Sequence, residues 1–230
     1  MSQEDFIILA CKLGKPQTQL IRSHRKEKHS EISVVSNAHR DTNGDNAPIV
    51  LGSYWHTDDS YFASPCAITL LHANKVPIGK GDTLFLDMYA AYQATPLDLK
   101  QKISSLQAVH KYQSRRNMSK VPKLTIDELN MTPDVIHPLI RTHPETGLKS
   151  LYLNPNRIDH IVDLCTKESD LLLDQLLKIA IDNSRMYRHN WLPGDILIWD
   201  NRCTMHRVEN NFGSSPREMM RILLQGTAPV

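Results

Sequence analysis

The sequence predicts a β-rich α+β fold, and two observations predict it. Short runs of β-branched and aliphatic residues recur along the chain, bounded by Gly, Pro, Asn and Asp. The helical patterns between them are few, and they do not alternate with the strands as a doubly wound parallel sheet requires. A β-rich core with helices packed outside satisfies both.

The elements follow in order. Ser2 caps a first helix, with Asp5 three residues on, the apolar set Phe6, Ile7, Ala10 and Leu13, and Gly14 as its stop. The basic run "RSHRKEKH" (22–29) is polar and lacks aromatics, so it reads as a solvated loop. "EISVVSN" (31–37) is a strand, and the Asp, Asn, Gly and Pro of 39–48 make a loop. "CAITLLHANKV" (66–76) and "DTLFLDM" (82–88) are buried strands joined through a "PIGKG" turn. "TPLDLKQKISSL" (95–106) offers a Thr cap and a Pro at the first helical position. Residues 113–124 are basic, polar and aperiodic, a loop. Thr125 and Glu128 in "TIDEL" then form a capping box. "SLYLN" (150–154) is a strand. "KESDLLLDQLLKIAIDNS" (167–184) is the longest helical pattern, with Leu172, Leu176, Ile179 and Ala180 on one stripe. "GDILIWD" (194–200) and "MMRILLQG" (219–226) close the chain as strands.

The 230 residues suffice for one domain, 1–230, with a substantial core. A net charge of +2 is too small to point to nucleic acid or an anionic membrane surface. No run approaches the ~18 apolar residues of a membrane span, and the N-terminus lacks a secretory pattern. Four cysteines, Cys11, Cys66, Cys165 and Cys203, are scattered without a CxxC. That usage fits reduced thiols and a cytoplasmic location.

The chemistry starts at "GSYWHTDDSY" (52–61), where His56 and Asp58 stand two apart, a spacing that puts both on one face of a strand. Alone, the pair reads more readily as a surface His–Asp contact, since chance produces the spacing often. "ILIWDNRCTMHRVENNFGSSPREMMRILLQG" (196–226) then places His206 just after a buried strand and Arg217 and Arg221 on the next. Two histidines and one carboxylate, presented from separate strands, form a facial triad suited to non-haem Fe(II).

Taken together, "WHTD", "GKGDTLF", "HPLIRTHPETGLKSLYLN", "LPGDILIWDNRCTMHR" and "PREMMRILLQG", in that order from about Asp5 to Gly226, resemble the TauD/TfdA family of Fe(II)/2-oxoglutarate-dependent oxygenases. The resemblance implies a double-stranded β-helix (jelly-roll) barrel, with Fe(II), 2-oxoglutarate and O₂ as cofactor and co-substrates. It assigns His56, Asp58 and His206 to iron, Thr83 and Arg217 to the distal carboxylate of 2-oxoglutarate, and Arg221 to the acidic group of the prime substrate. Tyr61, Tyr112, Tyr152 and Ser53 would line the substrate pocket, each tyrosine being equally readable as a core aromatic. His110, His137 and His143 read as structural, Cys203 as packing, and Asp200, Asn201 and Arg202 as braces of a strand end.

The arginine spacing adds support. On a strand, 217 and 221 face the same way ~13 Å apart, and two inward cations are costly unless each meets an anion. The expected reaction is hydroxylation of a C–H bond in a small anionic organic substrate (a sulfonate, sulfate ester or carboxylate), with release of succinate and CO₂. The alternatives are a decayed organic-acid binder on the same barrel, or a desaturase acting on an amino-acid-derived metabolite. The family commonly self-associates, so a homo-oligomer is an expectation. The 113–124 loop, with Arg115 and Arg116, is a candidate lid. Members of the family usually carry further strands ahead of the helix at Ser2, so an exposed sheet edge is expected here.

Overall fold

The computed structural model describes residues 1–38, 50–117, 121–182 and 186–230. The loop expected at 39–48 therefore lies outside the described residues. The fold is β-rich α+β, and every pairing between its described strands is antiparallel. A five-stranded sheet runs in the order Arg25–Lys26, His29–Ser36, Glu218–Leu224, Ile68–Lys75, Ile196–Asp200. A three-stranded sheet runs Met186–His189, Thr83–Asp87, Thr204–Val208. Two smaller sheets complete the set, one of Val135–Pro138, Gln107–His110 and Ile158–Ile161, the other of Ile140–Thr142 and Lys149–Leu151.

Side-chain alternation sets the layers. On the last strand, Met220, Ile222 and Leu224 pack with Leu70 and Ile32 against Phe6 and Ala10 of the first helix, Gln3–Leu13. Met219 instead faces inward and joins Leu71, Ala73 and Trp199 against Phe85 of the three-stranded sheet. The outer face of that sheet, Leu86 and Met205, is covered by Leu172, Leu173 and Leu176 of the helix Thr166–Ala180. The order is thus helix, sheet, interior, sheet, helix, and the interior between the sheets widens into a cavity.

Several expectations change in detail. The basic run at 22–29 is not a loop throughout. Arg22–His24 is a 3-10 turn, and Arg25–Lys26 pairs with the His29–Ser36 strand at the sheet edge, where charged side chains discourage further strand addition. Asp87 ends its strand early by accepting hydrogen bonds from the amides of Tyr89 and Ala90, capping an unforeseen helix, Met88–Ala94. Thr95 does not cap the next helix, Leu97–Ile103. Its hydroxyl donates back to Ala91 O at 2.9 Å and closes the preceding one. The Thr125–Glu128 capping box forms as expected. The short strands Gln107–His110, Val135–Pro138 and Ile158–Ile161 gave no clear alternation in sequence. The long helix stops at Ala180, and among the described residues no helix is long and apolar enough to cross a membrane.

Candidate metal centre and its cavity

Backbone hydrogen bonding builds the centre. His206 follows the strand Ile196–Asp200, as expected, but itself lies within a further strand, Thr204–Val208, and exchanges two backbone hydrogen bonds with His56, N–H to O at 3.0 and 2.8 Å. His56 is otherwise off any strand, so the HxD pair does not share a strand face. After this single bridge the chain turns, and Asp59 takes a positive φ of 57°. The turn swings the Asp58 carboxylate back towards both imidazoles. His56 Nε2 lies 3.8 Å from Asp58 Oδ1, and His206 Nε2 lies 3.7 Å from Asp58 Oδ2. One ligand atom from each of the three falls within 4.8 Å of the others.

Asn201, in "WDNR", fixes that turn. Its Oδ1 accepts from the Asp58 amide at 2.8 Å and the Thr57 hydroxyl at 3.0 Å. Its Nδ2 donates to Asp58 O at 3.0 Å and Cys66 O at 3.1 Å. Asn154 Nδ2 adds a bond to Thr57 O at 2.7 Å. The Thr69 hydroxyl donates to Asp58 Oδ2 at 2.8 Å. Asn201 was expected to brace the strand end, but nothing in the sequence pointed to Asn154 or Thr69, whose work is done through tertiary contact alone.

The electrostatics suit a divalent cation. Burial lowers the proton affinity of both histidines, His206 to about 3, so both rings are neutral. His56 Nδ1 lies 2.8 Å from Tyr54 O, a geometry that puts the proton on Nδ1 and the lone pair on Nε2. For Asp58, burial alone would raise the pKa, but Arg221, His206 and His56 outweigh it and carry the value down to about 2. Two neutral imidazoles and an ionised carboxylate on one side of a cavity are a donor set for a mid-row divalent metal with open positions.

The cavity of about 150 Å³ gathers most of the expected residues, Thr83, Arg217, Arg221, Tyr61, Tyr112 and Ser53 among them. Arg217 is buried, and no carboxylate of the described residues lies within 4 Å of its guanidinium. Burial alone pulls its pKa down to about 10. Gly81 makes room for it. A Cβ there would come within 3.1 Å of Arg217 Cδ and Nε, and Gly81 holds φ at +71°. The Thr83 hydroxyl accepts a hydrogen bond from Trp191 Nε1 at 2.9 Å, which leaves its own proton to donate.

Three of the expected residues or segments have contacts the sequence did not show. Arg221 reaches the cavity, and there its Nη1 donates to Asp58 Oδ1 at 2.9 Å and its Nη2 to Gln19 Oε1 at 3.4 Å. Its charge is already matched. Tyr152 does not line the cavity. It is a buried core aromatic, 5.8 Å from both His110 and His137, with the Arg141 guanidinium 5.2 Å over its ring. The loop segment 113–117 is tied down. Arg115 forks onto Asp170 at 2.9 and 2.7 Å, and Arg116 reaches Asp170 and Asp174 at 2.5 Å each, all on the helix Thr166–Ala180. Residues 118–120 lie outside the described set.

His110, His137 and His143 are structural, as expected, facing Ser60 Oγ, Phe62 O and Asp200 Oδ2. Cys203 stays away from the three ligands, its Sγ near Asp200 O.

With this geometry, the chain matches known proteins over nearly its full length. The family model described as taurine catabolism dioxygenase TauD, TfdA family covers residues 1–223. The chain is similar to the alpha-ketoglutarate-dependent 2,4-dichlorophenoxyacetate dioxygenase of Cupriavidus pinatubonensis, 33% identical over 230 residues, 96% of this chain and 80% of that one. It is similar to the (S)-phenoxypropionate/alpha-ketoglutarate-dioxygenase of Sphingobium herbicidovorans, 36% identical over 215 residues, 90% and 73% of the two chains. Among solved structures it is similar to AAD-2 in complex with Mn(II) and N-oxalylglycine, with a TM-score of 0.80 and 30% identity over 100% of this chain and 80% of that one.

Proposed function

The chain belongs to the taurine catabolism dioxygenase (TauD, TfdA) family, and from that premise we propose that it is an Fe(II)- and 2-oxoglutarate-dependent dioxygenase that hydroxylates a C–H bond of a small anionic organic substrate. One observation carries the reading: His56 Nε2, His206 Nε2 and the Asp58 carboxylate converge in the same cavity as a buried, carboxylate-free Arg217. In this reading the two facing sheets are the halves of a double-stranded β-helix, within one domain over 1–230.

His56, Asp58 and His206 would hold Fe(II) on one face and leave the other face open. The bound iron supplies oxidation of a substrate C–H bond, coupled to conversion of 2-oxoglutarate and O₂ to succinate and CO₂. Arg217 and the Thr83 hydroxyl bind the distal carboxylate of the co-substrate, the arginine by a bidentate fork. Arg221 holds Asp58 ionised and oriented. The walls at Tyr61, Tyr112 and Ser53 exclude water from the reacting end. The acidic substrate class, a carboxylate, sulfonate or sulfate ester, draws support from the cationic cavity and from the aryloxy acids in the relatives' names.

The test is succinate release. Purified protein with Fe(II), 2-oxoglutarate and O₂ is expected to form succinate, faster with a substrate from a panel of aryloxyacids, organosulfonates and sulfate esters. Absence of Fe(II)-dependent succinate under every condition would refute the assignment.

A further inference from the structure

The cavity holds a third guanidinium to which the reaction above gives no task. Arg157 lines it together with Tyr61 and Tyr112. Its guanidinium carbon lies 4.6 Å from the centre of the Tyr112 ring and 5.1 Å from that of Tyr61. The two rings stand edge to face, 5.2 Å apart at 83°, so the cation rests against both. The rings are themselves anchored. The Tyr112 hydroxyl donates to Pro122 O at 2.9 Å and the Tyr61 hydroxyl to Asp59 Oδ1 at 3.0 Å. Arg157 Nη1 donates to Tyr112 O, the only hydrogen bond of its side chain among the described residues. No carboxylate of those residues lies within 4 Å of it. Its position is fixed, yet among the described residues its other donors meet no acceptor.

Formal charge says what belongs there. Asp58 and Arg221 cancel as a pair. A divalent metal and the 2-oxoglutarate dianion cancel. Among the described residues Arg217 and Arg157 remain, against Asp59 alone, whose carboxylate is held by Tyr61 and Gln17. Among the described residues at least one positive charge is left over, in a cavity whose apolar wall includes Leu20, Val35, Leu51 and Val121. Arg157 is half-buried, and a cation without a counter-ion in a partly enclosed site is costly. A singly charged organic acid with an apolar body removes that cost.

Resting on the functional reading above, we propose that Arg157, held between Tyr61 and Tyr112, and not Arg221, receives the acidic group of the prime substrate. The substrate class is therefore an organic monoanion, carboxylate or sulfonate, whose apolar body lies along the aliphatic wall.

The experiment uses the Fe(II)-loaded protein with 2-oxoglutarate. Succinate is measured without substrate and with phenoxyacetate, 2-phenoxypropionate and hexanesulfonate, each beside its neutral amide. Arg157→Gln and Arg157→Lys are compared with wild type. At least one acid is expected to raise succinate release while its amide does not. Arg157→Gln is expected to raise the KM for that acid roughly 10-fold or more, the cost of losing a charge-assisted hydrogen bond, with the KM for 2-oxoglutarate unchanged. Arg157→Lys, which keeps the charge without the fork, is expected to recover part of the loss. The proposal is overturned if no acid stimulates release, if acid and amide act alike, or if Arg157→Gln leaves the acid KM unchanged or moves both KM values together. Failure of the functional reading looks different, because wild type would then form no Fe(II)-dependent succinate at all.

Discussion

Replacing Asn201 with Ala is expected to damage the metal centre and the fold together, by an amount the hydrogen bonds allow one to work out. The side chain meets the Asp58 amide, Asp58 O, Cys66 O and the Thr57 hydroxyl, all buried. Truncation leaves the first three without that partner inside the protein, at roughly 1–3 kcal/mol each before relaxation. The groups are neighbours and their costs overlap, so a net loss of about 3–5 kcal/mol is expected. For a chain of this size that lowers Tm by roughly 6–20 °C. Asp58 also loses the clip that aims it, so metal affinity is expected to fall roughly 10–100-fold, as when an outer partner of a ligand is removed. Differential scanning calorimetry of the metal-free protein gives the first number, and Mn(II) titration followed calorimetrically gives the second. A Tm within ~2 °C of wild type with an unchanged Mn(II) Kd would refute the reasoning. Loss of stability with intact metal affinity would show that Asn201 braces the strand end and does not aim the carboxylate.

Further outcomes are expected elsewhere. His206→Ala removes one of three ligands and should abolish both Mn(II) binding by titration and Fe(II)-dependent succinate release. Arg217→Ala should weaken 2-oxoglutarate binding to the anaerobic Fe(II) protein by roughly 30-fold or more, the typical cost of truncating one side of a buried ion pair. Unchanged affinity would reassign that arginine. Burial, and the His137 ring beside it, hold the pKa of His110 well below the usual value, so between the two values the unfolded chain binds the proton and the native one does not. Stability should therefore decline as pH falls below ~6.5, with His110 contributing up to ~1.4 kcal/mol per pH unit. Urea melts across pH should show a shallower decline for His110→Gln than for wild type. Asp170→Asn loosens the partly exposed Arg115 and Arg116 contacts, each worth ~0.2–1 kcal/mol, and should speed trypsin cleavage near 113–117 a few-fold.

What could be read in advance divides along physical lines. The strands with strong aliphatic runs, Ile68–Lys75, Thr83–Asp87 and Glu218–Leu224, were legible because one or both of their faces are buried and the sequence shows it. Gln107–His110 and Val135–Pro138 were not, since their Gln, His and Pro residues are held by pairing and not by propensity. At the centre, residue type and spacing pointed to His56, Asp58 and His206, but not to how they meet. A turn and a backbone bridge achieve what a shared strand face was expected to do. Arg221 could be seen to point inward, yet its pairing with Asp58 depends on the whole sandwich. Arg157 escaped notice because its meaning lies in two tyrosines remote in the chain.

The reciprocal backbone bonds between His56 and His206 tie a loop from the early part of the chain to a strand near its end. Neither segment owns a complete set of donors, so the site has no existence apart from the finished architecture. Any ion held there acts as a cross-link across most of the polypeptide, and it cannot depart without consequence for the rest. At a hundredfold excess over its dissociation constant such an ion adds about 2.7 kcal/mol of resistance to unfolding. Iron supply in the surrounding medium would then govern how long the molecule survives as well as whether it works.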